Sequence, residues 1–209
     1  MELTAWTDRV FGEADPSDFQ PDRLVGICEP DSASFLKLAE IFENPVRFLN
    51  RYDDGALGQA FWDLGFATFV GVYQESIEWE LRHRLIRSFE TLFRDLFAAR
   101  CSPVLGHLSE TDDPLSVACY MWWDFDCWSA MPDPLTRNPY DSAFLASMKA
   151  ILAIDHVACQ ESALHGLGHW QRAHKSVVEA IIDSFLQGTP EIREELREYA
   201  YDARRGHVL

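Results

Sequence analysis

Residues 155–170 read DHVACQESALHGLGHW, and their spacing decides the fold class. Apolar residues recur in this stretch three or four positions apart, which places them on one face of an α-helix. They are Cys159, Ala163, Leu167 and Trp170. The alternation of apolar and polar residues that marks a strand is scarcely visible here or elsewhere in the chain. The sequence therefore predicts an all-α protein.

The same helical spacing recurs through most of the chain. It predicts helices over residues 34–49, 54–74, 79–100, 114–128, 141–154, 156–171, 176–187 and 190–205. The first 33 residues contain Pro16, Pro21 and Pro30, which interrupt regular structure. We expect residues 1–33 to be an irregular segment packed on the domain, and residues 34–209 to form a single helical-repeat domain.

A second regularity links some of these predicted helices. The spacing D-x3-(apolar)-(polar)-x2-A-x3-L is formed by Asp155, Cys159, Gln160, Ala163 and Leu167. Most of it recurs at Leu81, Arg82, Leu85 and Phe89, and its centre recurs at Leu196, Arg197 and Ala200. Arg82 and Gln160 lie 78 residues apart, or two periods of 39 with one unit missing, and Gln160 and Arg197 lie 37 apart, which approximates the ~40–47 residues of a HEAT unit. The pattern resembles HEAT repeats, which implies antiparallel helix pairs stacked as a short α-solenoid. A plain helical bundle is the alternative fold.

The charge of the chain limits the classes of partner. Its 209 residues include 34 acidic and 18 basic side chains, which gives a formal net charge of -16. Phosphate backbones and anionic membranes attract Lys and Arg, so this composition disfavours both as partners. DNA binding on the concave face of a repeat array is an alternative that the charge weakens. A basic protein is the partner that the charge favours.

The N-terminus and the cysteines indicate a cellular compartment. The N-terminus lacks the basic and apolar regions of a secretory signal, and the five cysteines are widely spaced without a C-x-x-C pair. The most apolar stretch, residues 56–73, is interrupted by Gln59 and Asp63, which disfavours a membrane span. We therefore expect a cytoplasmic protein with reduced, mostly buried thiols.

Acidic residues concentrate in two stretches without Lys or Arg, residues 52–81 and 101–136. The candidate partner-binding residues lie there: Asp53, Asp54, Glu110, Asp112, Asp113, Trp122, Asp124 and Asp126. Acids would steer a basic partner towards this surface, and Trp122 would then be buried as its anchor. This prediction requires the two stretches to converge in space. The alternative is that the acids only stabilise helix starts or keep the protein soluble.

A candidate metal site lies on the helix predicted over residues 156–171. Glu161, His165 and His169 are four residues apart, and one carboxylate with two imidazoles is a legitimate set of zinc ligands. They lie opposite the apolar stripe, so we expect them to point away from the core. The spacing lacks the H-E-x-x-H order of a zinc protease, and local hydrogen bonding of the histidines is the simpler interpretation. No cofactor is predicted, and a metal-dependent hydrolase remains an alternative function.

The strings CYMWWDFDCW and CQESALHGLGHW look like signatures of a bacterial family to which no activity is attached. In size and composition, a small acidic helical chain without a complete catalytic motif is similar to the immunity proteins of bacterial toxin systems. That resemblance implies a protein-binding module that neutralises a basic, nuclease-like toxin domain by covering its active site. An adaptor or scaffold subunit is a further alternative.

Overall fold

The computed structural model describes residues 2–12, 31–125 and 138–208, and within these ranges the protein is all-α, as predicted. The helices are α1 (Leu3–Thr7), α2 (Ser32–Glu43), α3 (Pro45–Leu49), α4 (Asp54–Val72), α5 (Trp79–Leu92), α6 (Ala98–Arg100), α7 (Pro114–Tyr120), α8 (Asn138–Leu152), α9 (Val157–Gly188) and α10 (Glu194–Arg205). Wider π-helical turns cover Asp8–Gly12 and Phe93–Phe97, and 3-10 turns cover Gly106–Leu108 and Met121–Phe125.

Local chemistry sets several of these helix ends. The side chain of Asp53 accepts a hydrogen bond from the backbone N–H of Ala56 at 2.8 Å, and the side chain of Asp113 accepts one from Ser116 at 2.8 Å. Both aspartates therefore act as N-caps, which satisfy amides that the first turn leaves unpaired. At the other end of the chain, Gly206 adopts a positive φ of 74° and ends α10. Residues other than glycine rarely adopt this conformation.

Three elements differ from the sequence prediction. The predicted helix over 34–49 is interrupted at Asn44, because Pro45 cannot donate a backbone hydrogen bond and starts a new helix. The predicted helices over 156–171 and 176–187 form one helix, α9, with a kink at His174. Residues 3–12 are helical although the first 33 residues were expected to be irregular.

Trp122 lies at the centre of the hydrophobic core. Six phenylalanine rings surround it with centroid distances of 5.2–6.3 Å: Phe42, Phe61, Phe69, Phe89, Phe93 and Phe97. They come from α2, α4, α5 and the π-helical turn after α5. The side chain is 0% exposed, so the expectation that Trp122 faces outward as an anchor is wrong. The periodic pattern of the sequence identifies apolar helix faces. It cannot show that neighbouring helices cover the side chain of Trp122 on every side.

Close backbone approach brings the later helices against α4. A Cβ atom at Gly58 would lie 2.4 Å from the carbonyl carbon of Pro114, and one at Gly65 would lie 2.2 Å from the ring of Phe125. The first contact is with the start of α7 and the second is with the 3-10 turn that follows α7. Helix α9 packs on both α8 and α10, whereas α2 packs against α5 and α4 against α7. The stacking of successive pairs that a HEAT-like solenoid requires stays a prediction.

Two further expectations concern the cysteines and the membrane. Cys101, Cys119 and Cys159 are buried and form no disulfide, whereas Cys28 and Cys127 lie outside the described residues. In the described part of the chain, no helix has the combination of length and apolar composition needed to cross a bilayer.

Candidate functional site

The 3-10 turn Met121–Phe125 and helix α9 bring a carboxylate and two imidazoles into mutual contact. Oδ1 of Asp124 lies 3.0 Å from Nε2 of His165 and 2.7 Å from Nε2 of His169. The two Nε2 atoms lie 3.0 Å from each other. His165 and His169 lie 41 and 45 residues after Asp124 along the chain. Their three ligand-type atoms nevertheless form a nearly equilateral triangle.

Hydrogen bonding alone does not satisfy this triangle. Each Nε2 atom carries either one proton or one lone pair in the ring plane, and a carboxylate oxygen only accepts. If both imidazoles donate to Asp124, two N–H groups lie side by side at 3.0 Å. If either Nε2 is unprotonated, its lone pair faces the carboxylate of Asp124. A cation in contact with all three atoms removes these repulsive contacts.

The size of the triangle also fits a metal ion. A circle through atoms separated by 2.7, 3.0 and 3.0 Å has a radius of about 1.7 Å, which is shorter than the ~2.0–2.1 Å of a Zn–N or Zn–O bond. An ion about 1 Å above the plane would therefore reach all three ligands with little movement of the chain. Three protein ligands on one side of an ion leave coordination open on the other side, as in catalytic zinc sites.

The two histidines differ in exposure, so the site has a buried side and an open side. The side chain of His165 is 0% exposed, whereas those of Asp124 and His169 are 25% and 31% exposed. The expectation that the histidine stripe points away from the core is therefore wrong for its first turns. The side of α9 that carries His165 is covered by α10 and by the 3-10 turn Met121–Phe125. Gly166 lets the indole of Trp123, in that turn, approach the helix closely.

Neighbouring groups favour the charged form of the carboxylate. Burial opposes ionisation of Asp124, but the contacts with His165 and His169 outweigh burial and hold its pKa below the usual range. Asp124 was proposed from the sequence as a partner-binding acid, and the structure instead places it between two histidines.

A tyrosine contacts the far side of the buried imidazole. The hydroxyl of Tyr199, on α10, lies 2.7 Å from Nδ1 of His165 and 3.4 Å from the hydroxyl of Tyr120. Burial raises the pKa of both tyrosines, so both remain neutral phenols at physiological pH. Metal-binding histidines usually hold such a partner at the nitrogen that does not bind the metal. Sequence reasoning missed Tyr199, because no local spacing connects it with α9.

Glu161, the carboxylate of the predicted metal site, has a different role. Its Oε2 accepts the backbone N–H of Gly106 at 2.8 Å, and its Oε1 accepts the N–H of His107 at 3.0 Å. Oε1 also lies 2.5 Å from Nδ1 of His107. The side chain of Glu161 is 0% exposed. Its two oxygens link α9 to the loop before α7, residues 101–113. The predicted ligand set is thus corrected: Asp124, not Glu161, joins His165 and His169.

The loop before α7 is also fastened to α10. Both carboxylate oxygens of Glu110 accept hydrogen bonds from the guanidinium of Arg193, at 2.5 and 2.9 Å, and one of them also accepts the N–H of Leu105. The hydrogen bonds from Arg193 and Leu105 lower the pKa of Glu110 to about 2. The ring of His107 stacks on that of Tyr199 with centroids 4.2 Å apart. The loop therefore packs on α10 and holds the side chain of Tyr199 in place.

The predicted acidic surface is only partly available to a partner. Asp54 forms an ion pair with Arg100 at 2.6 Å, and Glu110 is paired as described. Asp53 and Asp113 cap α4 and α7, Asp112 is exposed, and Asp126 lies outside the described residues. Basic side chains from other parts of the fold thus reach stretches that contain none of their own.

Comparisons with protein-family models, curated proteins and solved structures found no match. The geometry of the site therefore carries the functional conclusion.

Proposed function

We propose that the protein binds a divalent transition metal ion, with zinc as the best fit, through Asp124, His165 and His169. The observation that carries this proposal is the mutual contact of one carboxylate oxygen and two Nε2 atoms at 2.7–3.0 Å. Imidazole and carboxylate ligands suit zinc and related first-row metals. The half-exposed side of the triangle leaves room for an exchangeable water.

An ion with an exchangeable position can lower the pKa of a bound water and polarise a substrate oxygen. This chemistry is the first requirement of the metal-dependent hydrolase that the sequence suggested, now with Asp124 in place of Glu161. In this proposal His165 and Asp124 fix the ion, and His169 closes the ligand set on the side nearer to solvent.

The test is the metal content and zinc affinity of protein purified without a His-tag. We expect one zinc per chain in the wild type. The zinc affinity of His169→Ala should be at least about tenfold lower, because one of the three protein ligands is removed. His169 is the ligand of choice because its side chain is 31% exposed, so its removal should leave the fold intact. His207→Ala is the matched control, since His207 is an exposed histidine outside the site.

Substoichiometric metal in the wild type, together with equal affinity of the wild type and His169→Ala, would refute the proposal. The same preparations can be assayed for hydrolysis of simple esters and phosphoesters. Activity that follows zinc occupancy and is lost in His169→Ala would extend metal binding to catalysis.

A second candidate function is stoichiometric binding of a basic protein, as in an immunity protein located in the cytoplasm. The net charge of -16 supports it, and so does the acidic segment from the turn after α4 into the first turn of α5, where Glu75, Glu78 and Glu80 are exposed. Exposed acids accelerate association with a basic partner and make it sensitive to salt. With Trp122 in the core, this candidate needs another anchor.

Co-purification from the native host at low and high salt tests the second candidate. It predicts a basic partner in one-to-one ratio that is released as salt rises, and weaker capture by a Glu75→Lys, Glu78→Lys, Glu80→Lys variant. Equal recovery by wild type and variant, or no partner at either salt concentration, would count against it.

A further inference from the structure

We propose that Tyr199 is the positioning residue that sets the tautomer of His165 and thereby the metal affinity of the site. This inference rests on the proposed function, because it concerns the same three ligands. Tyr199 does not touch the ion in this account. It acts through the imidazole that does.

Three contacts hold Tyr199 in place. Its ring lies against the ring of His107, with a centroid distance of 4.2 Å and an interplanar angle of 18°. Its hydroxyl reaches Nδ1 of His165 at 2.7 Å and the hydroxyl of Tyr120 at 3.4 Å. Tyr199 is also buried, with only 6% of its surface exposed to solvent. The phenol therefore has few alternative orientations, and water does not compete for its hydrogen bonds.

The direction of the hydrogen bond decides whether His165 can bind metal. A neutral imidazole carries one proton, and a metal at Nε2 requires that proton to be on Nδ1. His165 then donates from Nδ1 to the Tyr199 oxygen. If Tyr199 donated instead, the proton of His165 would be on Nε2, which would point at the metal position.

Tyr120 is placed to support the first direction. Its hydroxyl oxygen can accept the proton of Tyr199, which leaves the Tyr199 oxygen free to accept from His165. The ring of Tyr120 also packs on the ring of His165 with a centroid distance of 4.7 Å, so it restricts rotation of the imidazole. In the metal-free site Asp124, 3.0 Å from Nε2, attracts the proton of His165 to that nitrogen, and the two tyrosines oppose it by stabilising the tautomer with an unprotonated Nε2.

His107 links this selection to the loop before α7. Nδ1 of His107 contacts Glu161, and the backbone of the same residue donates to Glu161, so the ring that supports Tyr199 is itself fixed from α9. The support of the site therefore consists of side chains from the loop, α7, α9 and α10, although its ligands come from only two elements.

The experiment compares zinc affinity in Tyr199→Phe, Tyr120→Phe and Tyr201→Phe by competition with a zinc chelator that changes fluorescence. Tyr199→Phe removes only the hydroxyl, and we expect zinc affinity to fall about 10–100-fold, the usual effect of losing such a partner. Tyr120→Phe should weaken binding by a smaller factor, because Tyr199 can then turn its proton towards His165. Tyr201 is exposed on the same helix and is the matched control, for which we expect no change.

A second measurement does not depend on zinc binding. Nitrogen NMR of the metal-free wild type above pH 8 reports which nitrogen of His165 is protonated. The inference predicts a larger fraction of the Nδ1-protonated tautomer in the wild type than in Tyr199→Phe, where only the attraction of Asp124 for a proton on Nε2 remains. A merely structural role for Tyr199 would not move this equilibrium.

The outcomes separate the two proposals. If the wild type binds zinc but Tyr199→Phe binds it equally well, or if the tautomer populations of metal-free His165 are the same in the two proteins, the role of Tyr199 is refuted and metal binding stands. If the wild type does not bind zinc through His169, the proposed function fails first.

Discussion

Replacing Gly166 with alanine tests how the 3-10 turn that carries Asp124 is held against α9. A Cβ atom at this position would lie 2.5 Å from Cγ of Trp123 and 2.9 Å from two neighbouring ring atoms. Carbon atoms in contact are separated by about 3.5–4.0 Å, so the indole must retreat by about 1 Å. Four aromatic rings surround Trp123 and oppose this movement: Phe69, Phe89, Phe93 and Phe144.

The expected cost follows from two opposing effects. Overpacking of this kind costs about 1–3 kcal/mol, and the absence of space for the indole places Gly166→Ala near the upper end. Alanine in a helix interior recovers up to about 1 kcal/mol of helix propensity relative to glycine. We therefore expect Gly166→Ala to lower the free energy of unfolding by about 2 kcal/mol. Because Asp124 follows Trp123 directly, the same displacement should also weaken zinc binding.

Urea denaturation followed by tryptophan fluorescence measures the loss, which corresponds to a midpoint lowered by about 1 M. Gly188→Ala is the matched control: the glycine lies on the same helix, and a Cβ atom there would meet nothing within 4 Å. It should be neutral or slightly stabilising. If Gly166→Ala were as stable as Gly188→Ala and bound zinc as tightly as the wild type, the close packing of α9 on this turn would be refuted.

Three further predictions concern the support of the site and the core. Glu161→Leu leaves two half-buried loop amides and an imidazole without their acceptor, and at the lower end of the ~1–3 kcal/mol that an unpaired group costs, urea denaturation should show a loss of about 3 kcal/mol. Trp122→Ala should cost about 3–5 kcal/mol in the same assay, because it opens a cavity among six phenyl rings; near-wild-type stability would contradict its central position. Pairing with Arg193 lowers the pKa of Glu110 from 4.5 to about 2, so its stabilising effect is complete above about pH 4.5 and is lost as the pH falls from there towards 2. The stability difference between wild type and Glu110→Gln should therefore shrink over that pH range, and a constant difference would exclude the ion pair as its cause.

The all-α fold could be predicted because the chain repeats one period almost throughout. The start of α4 at Asp54 and the start of α7 at Pro114 were also predictable, since an aspartate precedes each and can cap it. The break at Asn44 and the continuity of α9 through His174 were not. The break follows from Pro45, which the spacing of apolar residues does not take into account, whereas His174 at the kink of α9 makes a tertiary contact of 2.7 Å with Asp141 that local spacing does not contain.

The candidate site shows the same division. The four-residue spacing of His165 and His169 places both imidazoles on one face of a helix, and the sequence predicted this pair. It could not choose the third ligand, because Asp124 and Glu161 are equivalent in residue class and only the fold brings Asp124 to the pair. Tyr199, 34 residues beyond His165, gave no signal at all.

The acidic stretches were misjudged for a related reason. A stretch without Lys or Arg in sequence need not lack positive charge in space. Arg100 lies directly before the second stretch along the chain and pairs with Asp54 of the first, and Arg193, at the start of α10, pairs with Glu110. What remains exposed is smaller than the count of acids suggests, and Trp122 is required by the core.

X-ray absorption at the zinc edge of the one-to-one complex tests the central claim most directly, because it reports the atoms bound to the ion. The account predicts nitrogen and oxygen ligands at about 2.0–2.1 Å, with the scattering of two imidazoles and no sulfur. Zinc could also bind sulfur, and the described residues include the buried thiols of Cys101, Cys119 and Cys159. A shell of sulfur at about 2.3 Å, or a spectrum with fewer than two imidazoles, would contradict a site formed by Asp124, His165 and His169.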